Sequence, residues 1–234
     1  MIKLENWEVV GWEHAIRGMR NPKNSWEKTD SEVVDCDDLA CSECSLCRDP
    51  EPCLGRGSPW MYDGIPLIGP NDHDLMMRLA KGGPVHAKYR RMITVYVDIT
   101  APLYWWKEFD TYKVGTVANS CSTMHKIHAK ELTLEDFSHE CLKPEALACL
   151  EMTIRCMNAY REMYLKDGNY DDWIQIIQSL PTSFNQRRTI MLNYEVLHNI
   201  YFSRKNHKLK EWHVLCDWIK SLPYSEIITL EEEE

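Results

Sequence analysis

One segment constrains the fold more than any other, because a strand pattern runs directly into an aromatic helix pattern. In residues 91–101, RMITVYVDITA, large apolar side chains alternate with others, as they do in a half-buried β-strand. Pro102 comes next, at a position that suits the first turn of a helix. The following LYWWKEF places Trp105, Trp106 and Phe109 where a helix would bury them. The segment therefore predicts a core strand that leads straight into a buried helix.

Helical periodicity dominates the other regular segments. A long helix is predicted after Pro144, with Leu150, Ile154 and Met157 on one face and Gly168 beyond its end. Capping and periodicity predict further elements: an N-terminal strand and a short helix ending near Asn21-Pro22, a helix capped by Asn71 or Asp72 and ended by Gly82-Gly83, a capping box at Thr133–Asp136, a helix stopped before Pro181, and helices within 185–204 and 207–221. The expected fold class is α+β, a helix-rich domain with a small, mostly antiparallel sheet.

We expect a single domain over residues 1–234, with an insert at about 21–71. The insert is rich in proline, glycine and cysteine, which favours loops over regular elements. Nine tryptophans and eleven methionines exceed what one small sheet can cover, so we also expect the chain to self-associate.

Charge and hydropathy exclude two classes of partner. The net charge of −9 argues against a general nucleic-acid binder, although it permits a local basic pocket for one small anion. No apolar run approaches the length of a membrane span, and the first ten residues lack the pattern of a signal peptide. Ten cysteines without an export signal indicate reduced thiols or a metal site, so we expect a cytoplasmic protein.

The insert contains a dense run of cysteines with C-x2-C-x2-C at its centre. Cys41, Cys44, Cys47 and Cys53 are the candidate ligands for zinc or an iron–sulfur cluster, because thiolates at short spacing can wrap one metal. The run lacks the two separated knuckles of a zinc ribbon, so a reduced, metal-free loop is the alternative. Cys149 and Cys156 lie seven residues apart in the predicted long helix and are interpreted as core residues.

Two polar regions are candidates for ligand binding. Residues 113–125, directly after the aromatic helix, are rich in hydroxyls and amides, which either line a pocket or satisfy the backbone of their own loop. Residues 193–212 place Asn193, Asn199 and Arg204 in a predicted helix, where solvated surface groups are the simpler interpretation. Arg187 and Arg188, just upstream, add positive charge that could form an anion pocket.

These regions coincide with a resemblance to the flavin-dependent thymidylate synthase family. The likeness covers residues 75–122. It begins at LMMRLAKGGPVH, a helix followed by a Gly-His turn, and continues through the strand, Ala-Pro junction and aromatic helix of VYVDITAPLYWWKEF. Residues 180–212 resemble the C-terminal helices of the family, and there Asn193, Asn199 and Arg204 match an Asn, an Asn or His, and an Arg.

The resemblance implies FAD as cofactor, a nucleotide ligand, and a homotetramer with active sites at subunit interfaces. It assigns cofactor contacts to His86, Asn193 and Asn199. It assigns nucleotide contacts to Lys113, Asn119, Ser120, Ser122 and Arg204. In the family, flavin delivers a hydride and folate delivers one carbon to uracil C5 without an obligatory enzyme nucleophile, so no catalytic residue is assigned.

The sequence departs from the family at several signature positions. The Arg-His-Arg signature falls on Thr111, Tyr112 and Lys113, and the Arg between the two Asn positions is Glu195. This rearranged charge predicts a different pyrimidine or a different one-carbon acceptor. Two functions therefore stay open: a flavin-dependent enzyme that transfers one carbon to a pyrimidine nucleotide, and a non-catalytic nucleotide binder, acting as sensor, sponge or viral counter-defence protein, on the same scaffold.

Overall fold

Eight α-helices and six β-strands lie in residues 2–34 and 65–230, the parts of the chain that the computed structural model describes. The strands are β1 (Lys3–Val10), β2 (Glu32–Val34), β3 (Ile65–Leu67), β4 (Thr94–Pro102), β5 (Val117–Ser120) and β6 (Asn185–Asn193). The helices are α1 (Trp12–Arg20), α2 (Pro70–Lys81), α3 (Leu103–Phe109), α4 (Pro144–Asp167), α5 (Tyr170–Ser179), α6 (Tyr194–Arg204), α7 (Lys210–Ser221) and α8 (Glu226–Thr229). A small antiparallel sheet has the strand order β1-β4-β6-β5, and β2 pairs with β3 in a second sheet. The predicted helix-rich α+β class is confirmed.

Strand β4 and helix α3 form where the alternating and aromatic patterns predict them. Val95, Val97 and Ile99 are buried, whereas Tyr96 between them is exposed. Pro102 ends β4 and caps α3 in an extended conformation, so it precedes the first turn of the helix instead of lying in it. The fixed φ of proline suits both conformations, and its missing N–H costs nothing at this junction.

The helix predicted over residues 185–204 is wrong in its first half. Residues Asn185–Asn193 form strand β6, and α6 begins only at Tyr194. Gln186, Ile190 and Leu192 are buried along the strand. They are separated by even numbers of residues, so they lie on one face of it. Propensity could not reveal this, because pairing with distant strands decides the conformation of such a segment.

The insert also contains regular structure that the loop prediction missed. Within its described residues, β2 pairs with β3, with Glu32 opposite Leu67 and Val34 opposite Ile65. Helix α2 begins at Pro70 with Gly69 as its N-cap, so neither Asn71 nor Asp72 is the cap. Two short 3-10 helices also form, at Asn21–Lys23 and Trp26–Lys28.

The described chain divides into two compact units. The first comprises Met1–Lys3, Asp98–Thr111 and Ala118–Thr189, and the second comprises Leu4–Val97, Tyr112–Val117 and Ile190–Glu234. The single domain expected over residues 1–234 stays a prediction.

Helix α4 supplies much of the core of the first unit. Leu150, Ile154 and Met157 of its predicted apolar face pack with Ile176 of α5 and with Phe137. Gly168 ends the helix in a left-handed conformation, as its position predicts. The capping box predicted from Thr133 to Asp136 is present and begins a short 3-10 helix, Leu134–Asp136.

The interpretation of the two cysteines of α4 as core residues is wrong. Cys149 and Cys156 are exposed and do not belong to the core. Apolar residues follow both faces of α4, so spacing alone could not tell which face is buried.

Helices α1, α2, α6, α7 and α8 pack around the core of the second unit, where Arg90 and Glu195 form a buried ion pair. The guanidinium of Arg90 lies 2.8 Å from the carboxylate of Glu195 through both Nε and Nη2. Arg90 Nη1 also donates to the carbonyl of Ile227 in α8. Such a pair is costly to break from one side, because the remaining charge would be buried without a partner.

Candidate functional site

Arg204, at the end of α6, is held between two aromatic side chains of the second unit. Its Nε donates to the hydroxyl of Tyr112 at 2.9 Å. Its Cζ lies 4.6 Å from the ring centroid of the buried Trp212 and 5.6 Å from that of Tyr112. Cation–π contacts of this kind fix the plane of a guanidinium. Arg204 is therefore a half-buried, oriented cation, which suits recognition of a phosphate or a carbonyl.

Gly115 of the second unit lies against the N-terminus of α6. Gly115 has a φ of +79°, and a Cβ on it would lie 3.1 Å from Nδ2 of Asn193 and 3.3 Å from Val196. The left-handed conformation therefore favours glycine there, and a larger residue would also crowd Asn193 and Val196. Asn193 is the N-cap of α6, since its Oδ1 accepts a hydrogen bond from the backbone N–H of Val196 at 3.1 Å. Within the described residues its Nδ2 makes no hydrogen bond, so it can still donate to a ligand.

The segment Tyr112–Val117 carries an unsatisfied polar atom. The hydroxyl of Thr116 is buried, yet it has no hydrogen-bond partner among the described residues. Most buried hydroxyls are paired, so an orphan often marks the place of a bound molecule or a partner subunit. Lys113, three residues before it, is exposed. Lys113 and Thr116 thus belong to the segment whose Gly115 approaches Asn193, and Arg204 contacts the same segment through Tyr112.

Two predicted cofactor contacts lie on the surface of the second unit. Asn199 is exposed on α6. His86 is exposed in the turn after α2, where its side chain lies close to Gly82. Their assignment to FAD stays a prediction.

The remaining predicted nucleotide contacts belong to the first unit. Asn119 and Ser120 lie in strand β5, all of whose residues are exposed. Ser122 follows it, and its hydroxyl oxygen accepts from the backbone N–H groups of Met124 and His125 at 3.2 and 2.9 Å. For Ser122 the structure shows the alternative that its sequence left open, a hydroxyl that satisfies the local backbone. The polar composition of this region gave no sign of strand β5.

The anion pocket suggested by Arg187 and Arg188 has a different structure from the expected one. Arg187 Nη2 lies 2.7 Å from Asp98, and Arg188 Nη1 lies 2.7 Å from Asp110. Arg188 also stacks over Trp106 at 4.1 Å from the ring centroid. Each cation thus has a carboxylate partner, which removes most of the local positive charge.

A separate cavity of about 350 Å³ in the second unit contains none of the predicted site residues. Arg20 lies in its lining and pairs with the fully buried Asp72 below, through Nε and Nη2 at 2.8 and 2.7 Å. Asp72 also accepts hydrogen bonds from Thr29, Ser31 and the backbone N–H of Asp30. Burial alone would raise the pKa of the Asp72 carboxyl, but these hydrogen bonds together hold it below its ordinary value.

The metal prediction lies outside the described residues, since Cys41, Cys44, Cys47 and Cys53 all fall between residues 35 and 64. Within residues 2–34 and 65–230, no group of three or more His, Cys, Asp or Glu side chains could hold a metal ion. No helix in those ranges is long and apolar enough to cross a membrane.

No protein-family model and no curated protein matches the sequence. Solved structures do match. Thymidylate synthase X from Helicobacter pylori, crystallised with FAD and dUMP, superposes with a TM-score of 0.64 at 13% identity, over 97% of this chain and 95% of that chain. A second structure of the flavin-dependent enzyme from that organism, also with FAD and dUMP, gives a TM-score of 0.58 at 14% identity over the same shares. The chain therefore has the fold of flavin-dependent thymidylate synthase.

Proposed function

We propose that this protein binds a pyrimidine nucleotide, with Arg204 as its principal charged contact. The observation that carries the proposal is the oriented guanidinium between Tyr112 and Trp212. The family resemblance assigns a nucleotide contact to this same arginine. Helicobacter pylori enzymes of the same fold are bound to dUMP, which supports a nucleotide as the ligand class.

We further propose FAD as the cofactor. The available donors fit such a group, because Asn193 can cap α6 with its oxygen while its Nδ2 donates to a ring carbonyl or phosphate. His86 and Asn199 are exposed and would add further polar contacts. When bound, the flavin would supply hydride transfer, and the chain would orient the nucleotide and exclude water.

The proposed nucleotide site differs from that of the family in its charges. Lys113 and Tyr112 replace two residues of the Arg-His-Arg signature, and Tyr112 bonds Arg204. Glu195, where the resemblance expects an arginine, is paired with Arg90 in the core. These differences favour a pyrimidine, or a one-carbon acceptor, other than that of thymidylate formation. Asn119, Ser120 and Ser122 remain proposed contacts that rest on the resemblance.

The same differences favour a second candidate, a non-catalytic nucleotide binder, sensor or sponge on this scaffold. A binder would retain Arg204 and Asn193 but need no flavin chemistry. In both cases we expect a homotetramer in the cytoplasm, as the resemblance and the reduced cysteines imply.

Purification of the full chain distinguishes the candidates. We expect a visible flavin absorption band and, by mass spectrometry of the denatured protein, FAD with or without a pyrimidine nucleotide. A colourless protein that carries a nucleotide would support the binder. A colourless protein that carries no nucleotide, and shows no calorimetric binding of dUMP, dCMP or dTMP, would reject both.

A further inference from the structure

Helix α4 has a second apolar face that no described residue of the first unit covers. Cys149, Met152, Cys156, Ala159 and Met163 form this face, here called the α4 seam. All five are exposed; for Met152 and Met163 the exposed fractions are 60% and 47%. At 100° per residue, the α4 seam lies about 150° around the helix from the buried stripe of Leu150, Ile154 and Met157. The helix is thus apolar on two nearly opposite sides, and only one of them packs in the core of the first unit.

The spacing of the α4 seam is that of a coiled coil. Its members follow one another at intervals of three and four residues, which is the heptad pattern of positions a and d. An exposed apolar stripe of this length is unusual on an isolated surface. A second helix with the same spacing could cover it, and another copy of this chain provides one.

Two charged residues beside the α4 seam determine the orientation of such a pair. Arg155 and Glu162 lie on the same flank, seven residues apart, and both are exposed. Neither has an ion-pair or hydrogen-bond partner within the described residues. Both occupy position g of the heptad, where charges select partner and direction.

Antiparallel pairing makes these charges complementary. When Met152 faces the partner's Met163, Cys156 faces the partner's Ala159, and Arg155 lies beside the partner's Glu162. The twofold axis repeats the contact, so two ion pairs form. Parallel pairing would instead bring Glu162 beside the partner's Asp167, which places like charges together.

We propose that two copies of this chain associate through the α4 seam, antiparallel and about a twofold axis, with Arg155 and Glu162 paired reciprocally. An interface of this kind is closed and self-complementary. The proposal does not depend on nucleotide or flavin binding, because it rests only on residues of α4.

Charge reversal with rescue tests the interface in the full-length protein. Sedimentation over a dilution series under reducing conditions would measure the dissociation constant of the association. Arg155→Glu and Glu162→Arg should each raise it by about tenfold or more, because two attractive contacts become two repulsive ones. The double variant should return to within about threefold of the wild type, since the pairs re-form with exchanged signs. Glu151→Arg, an exposed reversal on the same helix away from the α4 seam, should leave the constant unchanged.

Met152→Glu combined with Met163→Glu tests the apolar contact separately. Both side chains are exposed in the single chain, so the folded signal and melting temperature of the dissociated protein should persist while association is lost. A wild type that stays monomeric at micromolar concentrations would overturn the proposal. So would single reversals that behave like Glu151→Arg, or a double variant that associates no better than the single reversals.

Discussion

At the residue scale, Arg204 has two expected effects. Its contacts with Tyr112 and Trp212 stabilise the second unit, and its guanidinium is the proposed contact for the nucleotide. Arg204→Ala should lower the free energy of unfolding by about 1–2 kcal/mol, because it removes a hydrogen bond and two cation–π contacts. It should also weaken nucleotide binding by roughly ten- to a hundredfold, as expected when a charge-assisted contact is lost. Denaturant unfolding and calorimetric titration with pyrimidine nucleotides measure the two effects separately.

Arg204→Lys refines that test, since lysine restores the charge without the planar fork. We expect only part of the affinity to return. Arg78→Ala is the matched control, because Arg78 is an exposed arginine whose ion pair with Asp74 lies on α2. If Arg204→Ala binds every ligand as tightly as the Arg78→Ala control, Arg204 is not in the site.

Asn193 is expected to have two separable roles. Asn193→Ala removes the N-cap of α6 and should cost about 1 kcal/mol of stability, whereas Asn193→Asp keeps a capping oxygen and should cost little. Both variants lose the Nδ2 donor, so both should weaken flavin binding if that atom contacts the cofactor. Fluorescence titration with FAD would show this. Binding lost only in Asn193→Ala would assign the residue to helix capping alone.

At the scale of elements, the start of α2 depends on a carboxylate pair supplied by two different segments. Gly69 has no side chain to cap the helix, and the carboxylate of Asp30 accepts from the backbone N–H groups of Asn71 and Asp72 instead. A Cβ on Gly69 would lie 2.2 Å from the carbonyl oxygen of Asp30, so glycine permits this approach. Asp72 in turn binds Arg20 of α1.

Asp72→Asn should destabilise the protein by about 3–5 kcal/mol, since it leaves the buried guanidinium of Arg20 without a counter-charge. Asp74→Asn, in an exposed pair two residues away, should change the unfolding free energy by less than about 0.5 kcal/mol. Equal effects in urea unfolding would mean that the buried pair contributes no more than the exposed one.

The lowered pKa of Asp72 predicts a specific acid dependence. A carboxyl whose pKa is lower in the folded state stabilises the protein above its unfolded value, near 3.9, and that contribution is lost as pH falls through the folded value. Ser31→Ala removes one of the hydrogen bonds that lower it, so its stability should fall at a higher pH than that of the wild type. Urea midpoints from about pH 5 to pH 2 would measure this. Identical pH profiles, displaced only by a constant, would contradict the assignment to Asp72.

At the scale of the whole molecule, the sequence predicts elements whose residue pattern is local. It misses elements whose conformation depends on pairing with strands far away in the sequence. Strand β4 and helices α3 and α4 follow from periodicity because each buries an uninterrupted pattern. Strand β6 does not, because polar Gln186 occupies one of its buried positions and bonds the carbonyl of Cys121. The placement of Arg204 in a helix could be predicted, whereas the nucleotide contact that the resemblance assigns to it stays a prediction. The contact of Arg204 with Tyr112 could not be predicted, since the two residues are 92 positions apart.

The short ladder of β2 and β3 has a consequence for how the length of the chain can change. Pairing of Val34 with Ile65 brings together the two ends of a stretch of chain spanning residues 35–64. The entropy of closing a loop grows only with the logarithm of its length, about 0.6 kcal/mol per doubling. Once the ladder holds the ends, residues can be added or removed between them at little thermodynamic cost.

Replacing residues 35–64 by Asn-Gly should therefore yield a two-residue hairpin and a protein that melts within a few degrees of the original. Differential scanning calorimetry would measure it, together with elemental analysis of the original chain. A cooperative transition that is lost in the shortened chain, with zinc or iron in the original, would show that the cysteines of this segment hold a metal on which the fold depends. Otherwise the ladder marks a site where residues can be added, removed or exchanged while the rest of the fold is kept.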